Sequence, residues 1–306
     1  MSLAWYRAVV VLLLAFSISS SESASNGEVD VERELLLIKH NTSGWSNDLK
    51  AYQIELMTTI FAMSEEKYGP YTLEFVNRYM STIRSMIASE RGEIHTGLSS
   101  GWGIREENMN KVDLHLRPYI KTLLGLRRCI IRREDAEAFA SIRTLFDLAK
   151  FKAGQGEAWP DSRIYRHYGI SVVDSNSLSN LFPMLQKKRF DFIPLSVLEV
   201  DGALEAVKND YPDLIVAEGL YIFYPIPVYI SSSRAIPEVS ERIRYGLELL
   251  YGEDSRTTRD DMLYRHFPMA KNLKITEDEV LLILDNPYIG EEANDSTKQY
   301  FRSLYR

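Results

Sequence analysis

The sequence predicts an α/β protein made of two consecutive strand–helix units and a helical C-terminal part. Three observations predict it. Strand and helix patterns alternate from Glu34 to Leu98, the same alternation restarts at Leu126, and the stretches after Ser233 carry helical rather than strand spacing. A chain that builds one lobe, crosses to a second and crosses back accounts for this order. Alternating strands and helices are the signature of a mostly parallel sheet with helices packed on it.

The elements follow in order. Glu34 to Ile38 (ELLLI) is an apolar, strand-like run, followed by the polar turn HNTSGWSN. Asn47 can cap a helix starting at Asp48. Leu49, Tyr52, Leu56, Ile60 and Met63 recur at steps of three and four, so one face of that helix is apolar, and Gly69-Pro70 ends it. Tyr71 to Val76 alternates as a strand, a helix carries Met80, Ile83 and Ile87 and stops at Gly92, and EIHTGL reads as a short strand. In the second unit Leu126 to Ile131 is a strand. Pro160 takes the first position of a helix running to Tyr168 and ending at Gly169. ISVVD (170–174) and FDFIP (190–194) are strands around a helix that Pro183 distorts. A helix over SVLEVDGALEAVKN and two strand segments within residues 214–233 follow. The remainder reads as helix over PEVSERIRYGLELLYG, RTTRDDMLYRHF and a segment around Val280–Leu284, then a polar tail.

The chain has 306 residues, 45% of them hydrophobic, which is ample for one large or two medium domains. Its formal net charge of −7 argues against sequence-independent nucleic-acid binding, which needs clustered Lys and Arg. The densest basic runs, Arg127-Arg128…Arg132-Arg133 and Lys187-Lys188-Arg189, read as solvated strand flanks and helix ends. The N-terminus has a lone basic residue, Arg7, an apolar run from Ala8 to Phe16, and then small polar residues with Ser21 and Ser23 suited to a cleavage site. This is the pattern of a secretory signal peptide over residues 1–24, with an apolar run too short for a bilayer span. No Cys lies near the cleavage region, so there is no lipobox. The expected product is a periplasmic protein with no stable membrane insertion. The one cysteine, Cys129, lies in an apolar run and reads as a buried, inert thiol. The two glycosylation-like triplets, at Asn41 and Asn294, arise often by chance and are discounted.

GQG at 154–156 raises the question of a nucleotide loop. A dinucleotide fingerprint would put its third small residue at Trp159, which is too bulky for close helix–strand packing, and no Lys follows Gly156 for a phosphate loop. A turn opening into a helix remains. Its backbone N–H groups suit a carboxylate or another small anion, or it is a plain connection with glycines for tight turns.

The order of motifs GLRRCIIRRED…LFDLAKFKAGQGEAWPDSRIYRHYGISVV…LFPMLQKKRFDFIPLSVLEV…YPIPVYISSS…NPYIG resembles the extracellular solute-binding proteins of family 3, the type II periplasmic binding proteins, and within them an uncharacterised bacterial periplasmic subgroup. The resemblance covers most of the chain beyond the signal. It implies two α/β lobes, each a mixed sheet flanked by helices, joined by two crossover strands near Leu126–Arg133 and Leu220–Tyr224. The first part of lobe 1 would span residues 25–128, lobe 2 residues 129–222, and residues 223–306 would return to lobe 1 and form the C-terminal helices. It further implies a cleft that closes on a small polar solute, amino-acid-like or a carboxylate, by hinge motion.

In relatives that bind amino acids an Arg after the third strand holds the ligand carboxylate bidentately. That position falls on Asn108, with Arg105 in the same loop as the anion anchor. Leu195 stands where the subgroup often carries a basic residue. Trp45, Trp102 and Trp159 lie in loops where they can wall a cleft or cover a lobe core. Ser99 and Ser100 end a strand that points into the cleft in this family. Gly154, Gln155 and Gly156 complete the expected ligand contacts. Partners implied are a small-molecule solute and a membrane transporter, or a sensor reading the closed form. The expected form is a monomer with no cofactor, metal or catalytic residue.

One enzyme reading stands beside this. GLSSG at 97–101 fits G-x-S-x-G, with Ser99 as nucleophile and His266 downstream. WGIREEN is a poor helix start for that chemistry. The five histidines form no H-E-x-x-H pair, and the chain ends too early for a fused transglycosylase domain.

Overall fold

In the first strand, β1 (Leu36–Asn41), Ile38 and His40 alternate inward, and the helix that follows covers them. That helix, α1 (Asn47–Tyr68), begins on Ser46, whose hydroxyl accepts from the Leu49 N–H at 3.4 Å. The cap is therefore Ser46, one residue before the Asn47 expected from sequence, and Asn47 opens the helix. At the other end Gly69 adopts φ 85°, a left-handed conformation that glycine reaches without strain. The computed structural model describes residues 35–78, 80, 82–99, 111–117, 120–157 and 159–306.

The first sheet has the order β2 (Tyr71–Val76), β1, β3 (Thr96–Ser99), β11 (Tyr229–Ser233), β4 (Val112–His115). β2 and β3 flank β1 in parallel, with Ile38 opposite Leu73 and His40 opposite Thr96. β11 returns antiparallel between β3 and β4, the latter not expected from sequence. α2 (Thr82–Glu90) connects β2 to β3. α8 (Pro237–Leu250) lies against α1 so closely that a Cβ on Gly246 would stand 2.3 Å from the Ile60 carbonyl oxygen.

The second sheet is organised around β5 (Leu126–Arg132), which pairs antiparallel with β8 (Ile193–Ser196), β9 (Leu214–Val216) and β10 (Leu220–Phe223). β6 (Ala153–Gly156) and β7 (Val172–Ser175) are parallel partners. A bridge from Ala153 to Phe192, with the Gly154 N–H donating to the Phe192 carbonyl at 2.8 Å, ties this pair to the chain entering β8. Helices α3 (Ala136–Ala140) and α4 (Leu145–Leu148) precede β6, α5 (Asp161–His167) links β6 to β7, α6 (Leu178–Gln186) links β7 to β8, and α7 (Val200–Glu205) follows β8. After α8 come α9 (Arg256–His266), β12 (Val280–Ile283) and α10 (Glu291–Tyr305).

Three expectations change here. The GQG stretch is not a turn but strand β6, paired with β7, and both its glycines stand where aromatic rings leave no room for a Cβ. A Cβ on Gly154 would fall 2.3 Å from the Phe190 ring, and one on Gly156 2.6 Å from the Trp159 indole. Val280–Ile283 is not helical; it adds in parallel to β10 in the second sheet, with Leu282 opposite Ile222. The polar tail is a helix, α10, which buries Asn294, Phe301 and Tyr305 at helical spacing. One apolar core runs through both lobes, from Ile38 and Tyr52 to Phe192 and Tyr165. A smaller one around Leu181, Phe182 and Phe190 lies on the other face of the second sheet.

Candidate functional site

Ligands of α/β sheets gather beyond the carboxyl ends of the strands, where the chain turns and leaves polar groups uncovered. In the first lobe the ends of β1 and β3 point that way, and in the second the ends of β6 and β8. The helices that follow β1 and β8 approach each other: a Cβ on Gly202 of α7 would lie 3.6 Å from Asp48 Oδ2 at the start of α1.

The second lobe contributes an unusual polar group. Register pairs across a sheet point to one face. Ala153 is level with Phe192, Pro194 with Cys129, and Ser196 with Arg127. Gln155, two residues beyond Ala153, therefore shares a face with Arg127, and α5 covers that face through Tyr165, whose ring meets Phe192 edge-on. Arg127 is buried in the sheet and pairs with Asp161 of α5, Nη2 to Oδ2 2.7 Å, with both side chains only 8% exposed. Its guanidinium lies 5.4 Å from the centre of the Tyr224 ring, and the Tyr224 hydroxyl donates to the Tyr165 hydroxyl at 3.3 Å. Burial depresses the Arg127 pKa, but Asp161, Tyr224, Tyr165 and Glu199 together outweigh it and hold the guanidinium more firmly protonated. Burial also raises both tyrosines.

Glu199, where β8 turns into α7, completes the group. Burial pushes its carboxyl up to about 6, with Arg127 opposing and Asp161 adding to the rise. Glu199 is thus a second acidic group within electrostatic reach of the Arg127–Asp161 pair. Gln155 is fully buried, yet neither its Oε1 nor its Nε2 has a hydrogen-bond partner. Such an orphaned amide costs about 1–3 kcal/mol unless a ligand or water satisfies it.

The expected site residues divide. Gln155 lies in this cluster. Gly154 and Gly156 serve packing, and the Gly154 N–H is spent on the Phe192 carbonyl, so it is not the open donor that a turn would supply. Trp159 is half-buried and packs over Gly156 against the smaller core. Trp45 is half-buried against the main core. Ser99 ends β3 opposite Tyr229. Ser100, Trp102, Arg105 and Asn108 lie outside the described residues. Leu195, where a basic residue was weighed, is buried in the smaller core. Arg127, Asp161, Glu199 and Tyr224 were missed. The available signal was an arginine on the inward phase of an apolar strand, alternating with Cys129 and Ile131.

The histidines are engaged elsewhere. His266 Nε2 stands 2.6 Å from Glu55 Oε2, at the contact of α9 with α1. His115 Nε2 lies 2.9 Å from the Ser232 hydroxyl. His95 Nδ1 accepts from the Lys39 N–H, and its Nε2 is 3.0 Å from the Gly92 carbonyl. Of the two glycosylation-like asparagines, Asn294 is buried and donates to the Asn286 carbonyl at 2.9 Å. Among the described residues no group of three or more His, Cys, Asp or Glu is placed to hold a metal, and no helix is long and apolar enough to cross a membrane.

No family model matches the chain, and no curated protein matches it. Solved structures do. A periplasmic binding protein of Salmonella typhimurium with high arginine specificity is 15% identical over 75% of this chain and 98% of its own, with a TM-score of 0.52. An ancestral amino-acid-binding protein, a precursor of cyclohexadienyl dehydratase, is 15% identical over 76% of this chain and 95% of its own, TM-score 0.52. An ancestral arginine-binding protein bound to glutamine is 20% identical over 76% and 97%, TM-score 0.51. At such identities the likeness speaks for the fold, and it agrees with the two sheets and their helical layers. The chain has the two-lobed α/β fold of the type II periplasmic binding proteins.

Proposed function

We propose that this protein captures a small, amino-acid-like solute between its lobes and closes on it by hinge motion. The observation that carries the reading is the buried Gln155 amide without partners, on the sheet face that bears the Arg127–Asp161 pair. A ligand with a positively charged amino group suits a site where two acidic side chains, Asp161 and Glu199, stand near the single Arg127 guanidinium, and its hydrogen-bonding atoms answer Gln155. Arg105 is the proposed anchor for a ligand carboxylate, and Ser99, Ser100, Trp102 and Asn108 are proposed as further ligand contacts. The solved structures of this fold named above include proteins that bind arginine and glutamine, which supports an amino acid over a sugar. The residue 1–24 pattern supports export to the periplasm, where a membrane transporter would take up the bound solute. A membrane sensor reading the closed form is the alternative.

The test is thermal unfolding of the chain without residues 1–24 in the presence of L-arginine, L-glutamine, L-glutamate, small carboxylates, polyamines and sugars. A ligand at a hundred times its dissociation constant stabilises by about 2.7 kcal/mol, which is a rise of several degrees. The account expects that rise with an amino acid. A rise with sugars alone, or with none of the amino acids, contradicts it.

A further inference from the structure

Where the last turns of α9 and α10 meet the loop after α9, a polar cavity of about 230 Å³ opens. None of its lining residues belongs to the candidate site described above. We propose that it binds a phosphate group, either free phosphate or the head of a small phosphate monoester.

The charge of the walls points to an anion. Lys121, Lys271 and Lys274 line the cavity, and no acidic residue does. Lys121 is already engaged: its Nζ stands 2.8 Å from Asp260 Oδ1 and donates to the Tyr264 hydroxyl at 3.0 Å. Asp260 therefore balances its charge. Lys271 and Lys274 differ. Both are exposed, and among the described residues no carboxylate lies within ion-pair distance of either. The carboxyl ends of α9 and α10 also lie here, and each carries up to about half a negative charge. Two lysines exceed that by about one unit, which a bound anion supplies.

The hydrogen-bond donors point the same way. Asn272, Leu273 and Lys274 follow one another along the wall, and none of their backbone N–H groups meets an acceptor among the described residues. The next N–H, that of Ile275, donates to the Tyr305 carbonyl at 2.9 Å and fixes the loop just beyond them. The Tyr264 hydroxyl accepts from Lys121 and keeps its own proton to give. Successive N–H groups without acceptors, set beside cations, suit an oxyanion. A phosphate monoester carries about −1.5 to −2 charge at neutral pH and three strong acceptor oxygens, so it uses more of these donors than a carboxylate does. Leu273 and Leu304 add an apolar side for the organic part of an ester. The turn that places Lys121 is held in an uncommon conformation. Lys121 and Thr122 have φ of 45° and 65°, a left-handed pair without glycine. The Tyr305 hydroxyl, on the same cavity wall, donates to the Lys121 carbonyl at 3.1 Å.

The experiment is calorimetric titration of inorganic phosphate, and separately of phenyl phosphate, into the protein at constant ionic strength. Crystals soaked in tungstate, a tetrahedral dianion, locate the site by anomalous scattering. The expected result is one saturable site with a dissociation constant of about a millimolar or tighter for at least one of the two. Tighter binding of phenyl phosphate would identify an ester as the ligand, and tighter binding of inorganic phosphate the free ion. Affinity should fall at least tenfold in the double variant Lys271→Gln, Lys274→Gln. It should stay within about twofold in Lys187→Gln, Arg189→Gln, which removes the same charge from an exposed segment after α6. The tungsten should lie against the backbone of residues 272–274. Absence of saturable binding overturns the proposal. So does an equal loss in both double variants, which would mean a general charge effect, and so does tungsten bound only elsewhere.

Discussion

His40 is fully buried on β1, with Gln53 Oε1 3.4 Å from its Nε2. Burial, opposed weakly by Gln53, holds its pKa down to about 4. His115 is likewise depressed to about 4, by burial first, with Asp113 opposing and Arg244 adding. A histidine titrating near 6.5 unfolded and near 4 folded stabilises the native state fully above pH 6.5 and loses that contribution as pH falls towards 4. For His40 the loss amounts to about 3 kcal/mol. Glu199 runs the other way, since its folded pKa of about 6 exceeds the unfolded one, so acid relieves part of its burial cost. Urea midpoints between pH 7.5 and 4.5 should fall, and fall more steeply in Glu199→Gln; a flat profile in that variant would contradict the histidine assignment. Cys129 is fully buried, and burial pushes its thiol up to about 12. A thiol reagent at pH 8 should label it only after denaturation, and labelling of the native protein would place it at a surface. At this scale the sequence was partly legible. Cys129 followed from an apolar run, but Arg127 did not. A charge beside three other basic residues looks solvated until the strand phase places it inward with Asp161 as its partner.

Gly246 fixes the spacing of α1 and α8. Glycine-to-alanine in a helix gains about 1 kcal/mol of propensity, but here the new methyl would meet the Ile60 carbonyl at 2.3 Å, and neither helix backbone can yield locally. Overpacking should win, and Gly246→Ala should lose about 1–3 kcal/mol in chemical denaturation; a neutral or stabilised variant would mean that the helices sit further apart. Gly154→Ala tests the strand assignment in the same way, because its Cβ would enter the Phe190 ring. Elements with strong periodicity were readable: α1, α8 and β5 stand within a few residues of where spacing puts them. Those that failed depend on distant partners. GQG is extended because Phe190 and Trp159 close over it. β12 is a strand because β10 offers it an edge. α10 hides its buried face behind a polar residue, Asn294, whose amide bonds the loop at Asn286.

Across the molecule, Asp48 at the start of α1 stands against α7, and the face of the second sheet under α5 holds a buried polar group without a full set of partners. An arrangement of that kind is poor for stability alone, since an orphaned amide and an excess carboxylate both cost free energy. It becomes favourable once a zwitterionic guest supplies the missing charge and hydrogen bonds. Affinity for an amino acid should then weaken as pH falls through about 6, where Glu199 gains a proton. The most direct measurement is calorimetric titration of the amino acid that most raises the melting temperature, into the wild type and into Glu199→Gln at pH 7.5. The account predicts at least a tenfold loss of affinity in the variant. Equal affinity in both proteins would contradict it.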